Sequence, residues 1–365
     1  MKQRLLKYDV MRIAAIAMVL MGHISAYIVL NYPATDKMDF IVGNIFNGLR
    51  RGAAVPVFLM ITGALLLDED KRVEPRIFYK SRLLPLALLT VFWLSFYGVF
   101  YAFILPAVLG KAANAGDFAD YILGFKGSKY PHLWYMFMTV GVYLSVPFLR
   151  LFVRRENRTY ILGFILTAVV VQFIPNMLDF LTIGCYPTLN GFMKKFYMQS
   201  VTGFTGYLLL GWYLSVFPPS WLYRAGLYIL GLFLAVASTI AVQRLIADIP
   251  GIRAYLYDVF SLHLFVAGAA VFVLISALCG DAVTEGALTK TLSGAAFGIY
   301  AVHVAFLEIF SRVLMPYDAF MTWLCGSAMR PLAYILLLFA AVWLCSLSSV
   351  LILSRVRGLK SLFRY

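Results

Sequence analysis

Three ionisable side chains interrupt an otherwise apolar run near the N-terminus: Asp9, Arg12 and His23, within Tyr8-Asp9-Val10-Met11-Arg12 through Leu20-Met21-Gly22-His23. Arg12 and His23 are eleven positions apart. At roughly 100° per residue, eleven steps make about three helical turns, so both side chains share one helix face, about 16 Å apart along the axis. Asp9 lies one turn before Arg12 and can pair with it. An arginine can hold an anion, and a histidine can take a proton from a hydroxyl or carry a group itself. In a membrane helix each such residue costs at least about 2.5–3.5 kcal/mol on insertion scales, which calls for a partner or a task. The residues alone also fit snorkelling charges at an interface and a hydrogen-bonded core histidine.

The elements that must position these groups are membrane helices. Hydrophobic residues make up 62% of the 365-residue chain and charged residues 13%, with mean hydropathy +0.85. A soluble domain is nearer half apolar and a quarter charged. The expectation is an all-α, polytopic membrane helical bundle forming one domain over residues 1–365. About ten spans are read at roughly 8–30, 44–67, 82–109, 132–153, 159–180, 196–217, 221–243, 255–279, 290–314 and 329–353. The formal net charge of +14 does not point to nucleic acid, because the lysines and arginines sit at helix ends. One alternate set of connectors is the more basic, holding Lys2, Arg4 and Lys7, then Lys71 to Arg82, Arg150 to Arg158, and Arg355 to Arg364. The positive-inside rule then predicts cytoplasmic N and C termini. Gly163, Gly203, Gly206, Gly211, Gly226 and Gly231 are expected to let helices pack closely. Cys185, Cys279, Cys325 and Cys345 have no metal-ligand spacing, and no metal is expected.

Further motifs stand at or near helix ends. The second span runs Arg50-Arg51-Gly52 to Val55-Pro56-Val57-Phe58 and Thr62-Gly63. A basic connector, Arg76-Ile77-Phe78-Tyr79-Lys80-Ser81-Arg82, precedes Leu84-Pro85. The fourth span opens on His132-Leu133-Trp134-Tyr135, and the ninth carries Ser293-Gly294 through Phe297-Gly298-Ile299-Tyr300 to His303, with Glu308 beyond. His263, in the eighth span, belongs to no pattern.

Asp-x-x-Arg, then ten residues and His, resembles the first helix of the integral-membrane acyltransferase family 3, the bacterial O-acyltransferases. Val-Pro-x-Phe before Thr62-Gly63, His132-Leu133-Trp134 and Phe297-Gly298-Ile299-Tyr300 with His303 are similar to further segments of that family. The basic connector resembles its juxtamembrane motif, although Leu84-Pro85 stands where a further arginine is usual. The resemblance looks closest to small stand-alone members that resemble O-acetyltransferases of surface glycans.

The resemblance implies transfer of an acyl group, most simply acetyl, from cytoplasmic acetyl-CoA or another acyl-CoA to a hydroxyl of an extracytoplasmic glycan or lipid-linked sugar. The protein would be a multi-pass component of the inner (cytoplasmic) membrane, in contact with the lipid bilayer and without a nucleic-acid partner. It implies His23, Arg12 and Asp9 as catalytic residues, with His23 as general base or acyl carrier. Arg82, Lys80 and Arg76 would contact the coenzyme's phosphates near Arg12, with the pantetheine arm along the Arg12–His23 face. Arg51, His132, Trp134, Tyr300 and His303 would line the acceptor site. The rival from another class is a secondary transporter or glycan exporter whose intramembrane charges line a pathway.

Overall fold

A computed structural model describes residues 4–31, 37–71, 73–113, 132–175, 199–245, 256–317 and 330–363, with residues 116, 118, 195, 319 and 320 between them. Among these residues every regular element is helical, apart from an isolated antiparallel bridge between Leu5 and Val283. Cys185 and Cys325 lie outside the described residues.

The long helices are α1 (Leu6–Asn31), α2 (Lys37–Leu66), α3 (Pro75–Val108), α4 (Trp134–Phe152) and α5 (Arg158–Ala168, continued by a π turn at Val169–Phe173). They are followed by α6 (Gln199–Val216), α7 (Trp221–Leu245), α8 (Leu262–Cys279), α9 (Ala287–Leu314) and α10 (Arg330–Leu353), and by the short α11 (Lys360–Phe363). Seven described helices are long and apolar enough to cross a bilayer: α1, α3, α4, α7, α8, α9 and α10. Among the described residues of α2, Ala54–Leu66 is a shorter apolar stretch.

Among the helix starts that differ from the sequence reading, two have a clear local reason. Pro75 opens α3 because a proline at the first helical position lacks only an N–H that would go unpaired anyway. Arg76, Lys80 and Arg82 are therefore helical, not part of a loose connector. The eighth helix starts at Leu262, because the Asp258 side chain accepts the Phe260 amide at 2.8 Å and turns the chain before it.

The chain divides into two compact units. The first comprises Met1–Arg72 and Leu149–Ser293. Its hub is α2, on which α1, α6, α7 and α8 all pack. A Cβ added at Gly63 would stand 1.9 Å from the Leu208 carbonyl oxygen, and one at Gly211 would stand 2.1 Å from that of Met60. The backbones of α2 and α6 thus touch, which only glycine permits. Gly163 and Gly226, by contrast, face open space, so close packing there is not what they provide. On α7, Ile229, Leu232 and Phe233 are exposed, as suits a lipid-facing surface.

The second unit comprises Val73–Phe148 and Gly294–Tyr365. Buried Tyr97 of α3 donates to the Ala301 carbonyl of α9 at 2.8 Å, and Trp93 donates to Leu362 at 3.4 Å while its ring packs on Phe363 at 5.8 Å. Tyr79 donates to the Leu144 carbonyl at 3.1 Å, tying α3 to α4.

Candidate active site

Helix α1 runs unbroken from Leu6 to Asn31, so Arg12 and His23 do share a face, separated by about 16 Å of rise. Ile16 and Val19, between them on that stripe, are buried, while Arg12 and His23 themselves are half-buried. The half-buried side chains at both ends are the ionisable ones.

Asp9 is completely buried and accepts four hydrogen bonds. Its Oδ1 receives Arg12 Nη1 at 3.1 Å and Ser293 Oγ at 2.6 Å. Its Oδ2 receives Arg4 Nε at 2.6 Å and Thr284 Oγ1 at 2.7 Å. An ionised carboxylate has about four acceptor positions, and all are taken. Asp9 has no position left for a substrate proton; it orients Arg12 and fixes three other chain segments around it. Ser293, the first residue of the ninth-span motif, and Asp9, the first of the α1 motif, meet directly although 284 positions apart.

The basic residues Arg76, Lys80 and Arg82 lie on the first turns of α3, and all three are exposed. They are anchored from the other side by Phe78, which is buried and whose ring lies 5.9 Å from Tyr143. Pro85 has no N–H for the Ser81 carbonyl, and the helix passes this point as a π turn over Tyr79–Leu83. The Leu84-Pro85 departure noted in the sequence thus shapes the backbone that carries Lys80 and Arg82.

In the second unit His132, Tyr300 and His303 come together, all buried. The His132 ring lies 4.6 Å from that of Tyr97, 5.5 Å from His303 and 5.9 Å from Tyr300. The Tyr300 hydroxyl donates to the His132 carbonyl. His303 Nδ1 lies 2.7 Å from the Tyr300 carbonyl oxygen. Among the described residues neither ring nitrogen of His132 has a hydrogen-bond partner, although the side chain is 2% exposed. Such a group carries a desolvation cost of about 1–3 kcal/mol unless a water or ligand atom meets it.

Trp134 is half outside this cluster, 41% exposed with its ring 6.3 Å from Tyr135. Arg51 lies on α2 in the first unit. Glu308 accepts the Tyr101 hydroxyl at 3.2 Å and pairs with Arg312 one turn on. His263 is buried, and its Nε2 has no hydrogen-bond partner among the described residues.

The sequence reading missed Arg4, Thr284, Tyr97 and Tyr135. Tyr97 sits in an aromatic-rich run with nothing to single it out, and Arg4 reads as one more inside charge. Ser293 was visible as part of a motif, but its contact was not.

An all-helical chain with several membrane-crossing helices, a buried carboxylate orienting an arginine, and a histidine further along the same face define a polytopic membrane protein with a built polar site. Residues 5–350 match the acyltransferase domain of acyltransferase family 3, and the chain belongs to that family. It is a membrane acyltransferase. No curated protein and no solved structure matches it.

Proposed function

We propose that this acyltransferase moves an acyl group, most simply acetyl, from cytoplasmic acyl-CoA to a hydroxyl of an extracytoplasmic glycan or lipid-linked sugar, in the inner membrane. The observation that carries the reading is the α1 face, where Arg12, held by a fully buried Asp9, shares a stripe with His23. In this reading an imidazole nitrogen of His23 takes the proton from the acceptor hydroxyl. The new C–O bond forms as the thioester C–S bond breaks, and the thiol leaves with a proton. The same histidine could instead take the acyl group and pass it on, the two routes differing in whether an acyl-histidine forms. Arg12 supplies fixed positive charge, and Asp9 acts by positioning Arg12. Arg82, Lys80 and Arg76 are assigned to phosphates of the donor, which arginine meets as a fork and lysine as a point charge. His132, Tyr300 and His303, with Trp134 and Arg51, are assigned to the acceptor. That the nitrogens of His132 find no partner among the described residues supports that choice, since a sugar hydroxyl can both donate and accept.

The test uses purified protein in nanodiscs with radiolabelled acetyl-CoA and an added glycan. Label in the glycan is the expected result, and His23→Ala should reduce it about 10²–10⁴-fold while inserting and folding normally. A well-folded His23→Ala protein that transfers at the native rate would remove His23 from the chemistry. Accumulation of unmodified solute without labelling would replace the reading with transport.

A further inference from the structure

Arg4 lies outside every motif above, yet the fold pins its backbone. The Leu5–Val283 bridge is flanked by Leu6 N–H donating to Ala282 at 2.8 Å and Thr284 N–H donating to the Arg4 carbonyl at 2.8 Å. Chain termini fray unless tied down in this way. The result is that a second guanidinium reaches a carboxylate already served by Arg12, Thr284 and Ser293. Arg4 spends Nε on Asp9, and its Nη2 approaches the Lys290 carbonyl only at 3.5 Å. Among the described residues it makes no further hydrogen bond, and its side chain is 44% exposed, beside Arg12 at 30%. Lys290 is exposed next to it, whereas the other nearby ammonium, Lys7, is engaged by Asp281 at 2.8 Å. Asp9 therefore draws two guanidiniums, while Nη1 of Arg4 donates to none of the described residues and Nη2 makes only the long contact to Lys290. Guanidinium N–H groups of this kind are the ones that meet phosphate oxygens.

We propose that Arg4 is a phosphate-contact residue that, with Arg12, grips a phosphate group of the acyl donor. The proposal rests on the acyl-CoA reading above and adds a binding residue to it. The same chemistry would serve a phospholipid headgroup, and the experiment separates the two.

Transfer is measured in nanodiscs with acetyl-CoA and with S-acetylpantetheine, which has the same reacting thioester and no phosphate. Native protein, Arg4→Gln and Arg4→Lys are compared in phosphatidylcholine discs with and without phosphatidylglycerol. Losing one charge-assisted hydrogen bond should raise the KM for acetyl-CoA about tenfold or more in Arg4→Gln. The KM for S-acetylpantetheine should not move, and Arg4→Lys, which keeps the charge, should recover part of the loss. Equal loss with both donors, in step with a fall in thermal stability, would show that Arg4 only braces Asp9 and would overturn the proposal. An unchanged KM for acetyl-CoA, with a lost response to phosphatidylglycerol, would overturn the donor assignment in favour of a lipid headgroup. Native protein that neither binds nor uses coenzyme A thioesters would overturn the donor reading itself, whatever Arg4 does.

Discussion

Replacing Asp9 by asparagine keeps the shape of the side chain and removes its charge. The amide retains one oxygen and puts an NH₂ where the other was. Arg4, Arg12, Thr284 and Ser293 all donate to the carboxylate. The hydroxyls of Thr284 and Ser293 can rotate to accept, but a guanidinium cannot. The amide will therefore settle with oxygen towards Arg12 and nitrogen towards Arg4, whose side chain is 44% exposed and can swing into water. Weakening the Arg12 bond from charged–charged to charged–neutral, at a site buried on the Asp9 side, costs about 2 kcal/mol. Loss of the half-exposed Arg4 pair adds under about 1 kcal/mol. The expected destabilisation is about 3 kcal/mol, read as a lower midpoint in thermal or denaturant unfolding in detergent. Activity should fall by more than stability, because a misplaced positioning group typically costs about 10²-fold in rate. Thr284→Val is the internal comparison: it removes a neutral donor and should cost about 1 kcal/mol with little loss of rate. An Asp9→Asn protein with native stability and native rate would refute the account of Asp9 as the group that holds Arg12.

Three further outcomes follow from the same structure. Arg82→Ala should raise the KM for acyl-CoA and leave turnover at saturating donor unchanged, since a phosphate contact is made equally in ground and transition states; a sharp fall in saturated turnover would argue against that role. Gly211→Ala should destabilise by about 1–3 kcal/mol or force α6 away from α2, because the new Cβ would stand 2.1 Å from the Met60 carbonyl oxygen; unfolding midpoints check it, and native stability would contradict the backbone contact. A reporter fused after Tyr365 should be active only in its cytoplasmic form, and activity of a periplasm-dependent reporter there would overturn the expected orientation.

The sequence by itself determined what depends on local geometry. The Arg12–His23 face was legible because helix periodicity fixes the relative direction of residues eleven apart, and the Asp9–Arg12 pair because three residues make nearly one turn. The membrane class was legible because an apolar run long enough to cross a bilayer has few other uses. The helix starts were less so: α3 begins at Pro75, ahead of the apolar run that opens at residue 82, because a proline fits the first helical position. Tertiary structure alone decided the company Asp9 keeps. Thr284 and Ser293 are 275 and 284 positions away, and no local periodicity links residues at that distance. The same holds for His132, Tyr97 and His303, which three separate segments bring together. Arg4 is the clearest case. In the sequence it is one cation among the 31 lysines and arginines; in the fold, two backbone hydrogen bonds to a distant turn set its guanidinium against a buried carboxylate. Charge is written in the sequence, but whether a charge is solvated or aimed depends on which backbone, from elsewhere in the chain, is pinned beside it.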